Sequence, residues 1–265
     1  MTESAISSDI FPPRTVVIAG AGPGAVDLMT LRCREAIAGA EVIVYAGSLV
    51  NPAVLDFAGA DCEIYDSAGM TLDEMVEVMA RAVKAGKKVL RLHTGDPAMY
   101  GAISEQINAL AGRGIGCEII PGVSSVFAAA ARIGAELTLP EVSQTVILTR
   151  RAGRTPVPER ESITDLARHQ ATMAIFLSVA AIADLVAELK SGGYPGETPV
   201  AVVYRATWPD EKVVTGILDD IADRVAAAGI GRQAMILVGK ALGREGELSR
   251  LYAGEFAHGY RRERQ

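Results

Sequence analysis

Along this chain, short apolar runs alternate with stretches whose apolar residues return every three or four positions. The runs at 15–19, 42–45, 62–65, 88–92 and 117–120 read as strands, and the stretches between them mostly as helices. Thr71 and Glu74 make a capping-box pattern, with Met75, Val76, Val78, Met79 and Val83 at helical spacing behind it. Ile103, Ile107 and Leu110 give residues 102–110 one buried stripe, and 126–133 reads as a further helix. A second series has strands at 146–149, 172–177, 200–204, 212–215 and 234–238, with helices at 182–189 and 219–228 and a short helix capped by Ser162. This alternation predicts an α/β fold of two α/β domains. The expected organisation is a flexible leader over 1–14, an N-terminal domain over 15–133, a connection over 134–141, a second domain over 142–243 and a charged tail over 244–265.

Three of the predicted strands run into glycine-bearing turns. The strand 88–92 leads into His93-Thr94-Gly95-Asp96-Pro97-Ala98-Met99-Tyr100-Gly101. In open α/β sheets the carboxyl ends of strands are where ligands sit, because backbone groups and helix N-termini converge there. Gly95 leaves the main chain open to a ligand, Pro97 stiffens the turn and Asp96 supplies a fixed acceptor. The first strand leads into Gly20-Ala21-Gly22-Pro23-Gly24-Ala25, and the fifth into Pro121-Gly122-Val123-Ser124-Ser125, whose hydroxyls suit a helix N-cap. The first loop formally matches the dinucleotide fingerprint G-x-G-x-x-G/A. Against that, Pro23 removes a loop N–H, the helix starts late at Thr30-Leu31, and Glu41 precedes the second strand where an acid should end it.

Charged residues make up 22% and hydrophobic ones 49% of the 265, an ordinary balance for a globular enzyme. A formal charge of −6 speaks against a general nucleic-acid binder. Cys33, Cys62 and Cys117 are odd in number and widely spaced, so they read as buried thiols in a reducing compartment. His93, His169 and His258 are too scattered to suggest a metal cluster. Residues 1–11 lack a signal-peptide pattern and no run is long enough to span a membrane, so a cytoplasmic location is expected.

The three glycine motifs, in this order and spacing, resemble the tetrapyrrole methylase family over about residues 14 to 243. Further strings sharpen the resemblance: Tyr45-Ala46-Gly47-Ser48-Leu49-Val50-Asn51-Pro52, Ser67-Ala68-Gly69-Met70-Thr71, Leu148-Thr149-Arg150, Gly153-Arg154-Thr155-Pro156-Val157-Pro158 and Thr172-Met173-Ala174-Ile175-Phe176-Leu177-Ser178. These are similar to the branch of the family that methylates a ring carbon of a corrin precursor in cobalamin synthesis. The resemblance implies two α/β domains with S-adenosyl-L-methionine bound in a cleft between them, and a homodimer. The cofactor residues it implies are Pro23, Thr94, Gly95, Asp96, Met99, Ser124, Ser125, Leu177, Ala206 and Ala234. Many members carry glycine at the positions of Thr94 and Ala206 and methionine at that of Leu177.

The chemistry so implied is in-line displacement by a nucleophilic ring carbon on a sulfonium methyl, in which alignment and desolvation supply most of the catalysis. No metal or nucleophilic triad is expected. His93 and Tyr100 flank the Gly-Asp-Pro loop and are the candidates to orient a pyrrole or relay a proton. The substrate would be a tetrapyrrole rimmed by carboxylates, for which guanidinium groups are suited partners. Arg150, Arg151 and Arg154 form the first candidate cluster, with Arg205 and Lys212 behind it. Tyr45 and Ser48, in the loop at the carboxyl end of the second strand on the same rim as the first glycine loop, are further candidates. The alternatives are a dinucleotide-dependent oxidoreductase, a tetrapyrrole carrier without turnover, and a sister methylase acting on ribosomal RNA or a protein histidine.

Overall fold

The computed structural model describes residues 10–243. Two compact units divide it: residues up to Ala128 with Thr207–Asp210, and Ala129–Ala206 with the residues from Glu211 onward. The division falls ahead of residues 134–141, and one short segment of the later chain, 207–210, groups with the first unit because its hydrogen bonds run there. Residues 1–9 and the charged tail 244–265 lie outside the described residues. The rest of the proposed leader is not loose, since Phe11 is buried in the first core.

The first unit contains β1 (Thr15–Gly20), α1 (Leu31–Gly39), β2 (Val42–Tyr45), β3 (Glu63–Asp66), α2 (Leu72–Lys84), β4 (Val89–His93), α3 (Ile103–Ala111) and β5 (Gly116–Ile120), with α4 (Ser125–Ile133) spanning the division. Its sheet has the order β3-β2-β4-β1-β5, and every pair is parallel. Strands buried on both faces should be apolar at every position, with alternate residues feeding opposite cores. Val17, Ala19, Ile43, Leu90 and Leu92 accordingly pack with Cys33, Ala36 and Ile37 of α1. Val16, Ile18, Val42, Val44 and Val89 pack on the other face with Met75, Val76, Met79 and Val83 of α2 and Leu110 of α3.

The capping box is present. Thr71 accepts from the Glu74 N–H, and the Glu74 carboxylate accepts from the Thr71 N–H. Thr71→Ala should therefore lower stability by about 0.5–2 kcal/mol in denaturant melts, the usual cost of losing an N-cap.

The second unit holds β6 (Val146–Arg150), α5 (Ile163–Ala167), β7 (Thr172–Phe176), α6 (Ile182–Ser191), β8 (Pro199–Tyr204), β9 (Lys212–Ile217), α7 (Ile221–Ala227) and β10 (Ala234–Val238). Its sheet is mixed, in the order β6-β7-β10-β8-β9, with only β6 and β7 parallel. The core formed by Met173, Ile175, Val200, Val202, Ile236 and Val238 packs against Ile163, Leu185, Leu189, Ile221 and Val225 of the three helices.

Candidate functional site

In the first sheet β1 and β4 are neighbours, yet the chain leaves β1 across β4 to reach β2 and leaves β4 across β1 to reach β5. Opposite departures from adjacent strands open a crevice at their carboxyl ends. Two of the three glycine motifs lie there, and β5, on the other side of β1, brings the third. Gly22 and Gly95 bridge reciprocally: the Gly95 N–H donates to the Gly22 carbonyl (2.7 Å) and the Gly22 N–H to the Gly95 carbonyl (3.3 Å). The contact admits no side chain. A Cβ on Gly20 would stand 2.4 Å from the Gly95 carbonyl oxygen, and one on Gly122 would stand 2.1 Å from it.

Asp96 ties the second loop to the third. Its Oδ1 accepts from the Ala98 N–H (2.8 Å) and its Oδ2 from the Gly122 N–H (2.9 Å). The carboxylate is thus engaged with backbone, and its first role is to hold the loops in register. Gly95 itself is buried at φ +59°, which glycine adopts freely, and its Cβ position lies 3.8 Å from the Ser124 Cα and the Ser125 N, in van der Waals contact with the third loop. Thr94 and Met99 are half-buried beside it. Ser124 is buried and its Oγ accepts weakly from the Val126 N–H (3.4 Å), as a cap for the helix that starts at Ser125. Tyr100 and Ala102 sit at φ +56° and +49°, which costs non-glycine residues of order 1–3 kcal/mol each. Strain of this kind persists where the surroundings over-determine the backbone, and here it flanks the crevice.

The glycine-rich loop has anchors that sequence reasoning missed. The Trp208 indole N–H donates to the Pro23 carbonyl (3.1 Å), the Ala25 N–H donates to Thr207 Oγ1 (2.9 Å), and Asn51 Nδ2 donates to the Gly24 carbonyl (2.9 Å). Thr207 is itself at φ +70°. A 3-10 turn, Val26–Leu28, separates this loop from α1, whose cap is Thr30. Glu41 lies at the amino end of β2 and accepts from the Lys88 N–H (2.9 Å). The dinucleotide reading therefore lacks both a helix aimed at the loop and an acid at the end of β2.

At the end of β2, the Tyr45 carbonyl accepts from Ser67 Oγ (3.0 Å), while the Tyr45 ring packs partly on the first core. Ser48 follows in the same loop. Asp66 Oδ1 accepts from the N–H groups of Gly47 and Ala68, both at 2.9 Å. His93 is buried, with no partner for Nε2 among the described residues. Burial first, and the nearby Arg91 charge second, push its pKa down to about 3. The ring is thus neutral at neutral pH, better placed to orient a group than to relay a proton as an imidazolium.

A histidine held neutral in the fold is protonated first in the unfolded chain, so it favours unfolding as pH falls below the ordinary 6.5 toward 3. His93→Gln should flatten the acid limb of stability against pH across that window, measured by chemical denaturation at stepped pH.

In the second unit, Leu177 is exposed at φ +55°, Ala206 is buried and Ala234 half-buried. The three loop arginines, equivalent by sequence, differ in the structure. Arg150 donates to the carbonyls of Thr155 (3.1 Å) and Pro156 (2.7 Å), folding onto its own loop. Arg151 pairs with Glu188 (2.8 Å) and Asp184 (3.3 Å) on α6. Arg154 is exposed, with no partner among the described residues. Arg205 donates to Gln233 Oε1 (3.1 Å) and lies over the Tyr204 ring, while Lys212 donates to the Ala228 carbonyl (3.2 Å).

Burial raises the pKa of Cys33 to about 12, which leaves that thiol unreactive. Among the described residues no three His, Cys, Asp or Glu side chains stand close enough to hold a metal ion, and no helix is long and apolar enough to cross a membrane.

The chain thus joins a parallel α/β unit, with glycine loops meeting at its carboxyl rim, to a mixed-sheet unit. Residues 15–222 match the family of Tetrapyrrole (Corrin/Porphyrin) Methylases, and the chain belongs to it. A cobalt-precorrin-4 C(11)-methyltransferase of Methanocaldococcus jannaschii is 57% identical over 250 residues, 94% of this chain and 96% of that protein. A precorrin-4 C(11)-methyltransferase of Pseudomonas aeruginosa is 50% identical over 248 residues, 93% of this chain and 98% of that protein. The X-ray structure of a cobalt precorrin-4 methyltransferase superimposes with a TM-score of 0.85 at 50% identity, covering 86% of this chain and 96% of that one.

Proposed function

We propose that this chain transfers a methyl group from S-adenosyl-L-methionine to C-11 of precorrin-4, metal-free or as its cobalt complex, in cobalamin synthesis. The observation that carries the reading is the meeting of Gly20, Gly95 and Gly122 in a chain whose relatives of that name match almost end to end. A cytoplasmic homodimer is part of the reading.

When bound, the donor supplies a sulfonium-activated methyl that the ring carbon attacks in line, the electron pair of the broken S–C bond returning to sulfur. The protein's part is to bind, align and exclude water. Gly95, with Pro23, Thr94, Met99, Ser124 and Ser125 around the crevice, would hold the donor, and Asp96 keeps that rim in register. Leu177, Ala206 and Ala234 are the donor contacts proposed in the second unit. His93 and Tyr100 remain the candidates to orient a pyrrole.

Tyr45, Ser48 and the basic residues are assigned to the macrocycle. Among the latter, Arg154 has the free guanidinium, whereas Arg150 and Arg151 shape the loop. Arg154→Gln should raise KM for the tetrapyrrole and leave donor affinity unmoved. An exposed pair contributes about 0.2–1 kcal/mol and a desolvated one costs about 2–5 kcal/mol when truncated. An unchanged KM at both low and high salt would remove Arg154 from the substrate site.

The deciding experiment incubates the protein with S-adenosyl-L-methionine and each macrocycle, then looks by mass spectrometry for one added methyl. Methylation of neither, or stoichiometric binding of a nicotinamide cofactor instead, overturns the assignment.

A further inference from the structure

Arg91 sits in the middle of β4, only 6% exposed, in a stretch otherwise made of Val89, Leu90 and Leu92. Its Nε donates to Gln106 Oε1 (3.1 Å), and its Nη1 donates to the Val44 carbonyl (3.2 Å) and Ser67 Oγ (3.0 Å). All three acceptors are neutral, and no described residue accepts from Nη2. Gln106 passes the connection on, donating to the Ala102 carbonyl (3.1 Å) beside the strained Tyr100–Ala102 turn. The guanidinium therefore lies between β2, the turn that follows β3 and α3, toward the carboxyl end of the sheet.

Buried charges are normally paired, because removing an ion from water costs several kcal/mol that only an opposite charge offsets well. Arg91 has no such partner. Burial lowers its pKa to about 10 with no carboxylate acting to raise it. Asp66, one residue from Ser67, uses its carboxylate on the Gly47 and Ala68 N–H groups, and Asp96 uses its own on Ala98 and Gly122. The positive charge is felt at His93, two residues along the same strand face.

We propose that the missing counter-ion of Arg91 is a ligand carboxylate, taken by the unpartnered Nη2 at the carboxyl rim of the first sheet. The inference rests on the proposed function, whose two substrates both carry the required chemistry: the amino-acid carboxylate of the methyl donor and the acetate and propionate groups of the macrocycle. A fixed guanidinium on a central strand then selects anionic groups at the rim of an acidic protein.

The test titrates wild type and Arg91→Gln with S-adenosylhomocysteine, with methylthioadenosine, which lacks the amino-acid part, and with uroporphyrin III as a stable polycarboxylate tetrapyrrole. Loss of a charge-assisted bond predicts about 10- to 100-fold weaker binding of the carboxylate-bearing ligand. Weaker S-adenosylhomocysteine binding with methylthioadenosine unchanged identifies the donor as the source, and weaker uroporphyrin binding identifies the macrocycle. In the wild-type protein, the Arg91 side-chain nitrogen resonances should shift when that same ligand is added, a readout that survives if Arg91→Gln fails to fold. Unchanged affinities in a folded Arg91→Gln, or resonances that no ligand moves, overturn the inference and leave Arg91 as an internal brace. Wild type that binds none of the three ligands overturns the proposed function itself, and this inference with it.

Discussion

Gly122→Ala is expected to abolish donor binding and to destabilise the first unit by about 3 kcal/mol or more, the upper end of what overpacking costs. The new Cβ would stand 2.1 Å from the Gly95 carbonyl oxygen and 2.8 Å from the Gly20 Cα. Both are backbone atoms, so no side chain can swing aside. One loop must move, and each loop carries part of the crevice. The Gly22–Gly95 bridge and the bond from the Gly122 N–H to Asp96 would then fail together. Gly59→Ala is the matched control, since nothing lies within 4 Å of its Cβ position. Thermal melts and calorimetry with S-adenosylhomocysteine read both effects. A Gly122→Ala protein with wild-type melting and affinity would show that the three loops do not need their close approach.

Asp96→Ala should have the second-largest effect, about 10- to 100-fold weaker S-adenosylhomocysteine binding. A hydrogen bond to a charged group is worth about 1.5–3 kcal/mol, and a donor left unsatisfied costs about 1–3 kcal/mol. Here two N–H groups, of Ala98 and Gly122, lose one shared acceptor. The loss of affinity should therefore come with a lower melting temperature, because the carboxylate acts through loop register. Asp96→Asn should fall between the two, since an amide oxygen can keep one of the bonds while its NH₂ meets the other N–H. Unchanged affinity in a folded Asp96→Ala protein would remove Asp96 from the site.

Much of the local architecture was legible because its causes are local. Apolar runs mark the strands, and the Thr71–Glu74 pattern is a capping box in the structure. Thr30 caps a late first helix, as expected from the residues after the glycine-rich loop. The three loops that carry the family resemblance were visible for the same reason: each lies directly after a strand, within a few residues of its cause.

Partners chosen across the chain were not legible. Pro23 and Trp208 are 185 residues apart, and Ala25 and Thr207 are 182 apart. Nothing in the Arg205–Asp210 string marks it as an anchor for a loop at the other end of the sequence. Arg150, Arg151 and Arg154 look alike in one basic loop, and only the position of α6 and the turn of the loop decide which charges are already paired. A charged residue in an apolar strand is a local signal, and Arg91 carried it. That it is buried without a carboxylate depends on what Val44, Ser67 and Gln106 present from three other elements.

The sequence by itself determined the strands, the helices with their caps and the glycine turns, since hydrophobic period and backbone freedom act over a few residues. The tertiary structure alone decided that β1 and β4 lie side by side and that three glycines touch. It alone also separated the charged groups that are engaged from those that are free, because burial and hydrogen bonding are settled by neighbours distant in sequence.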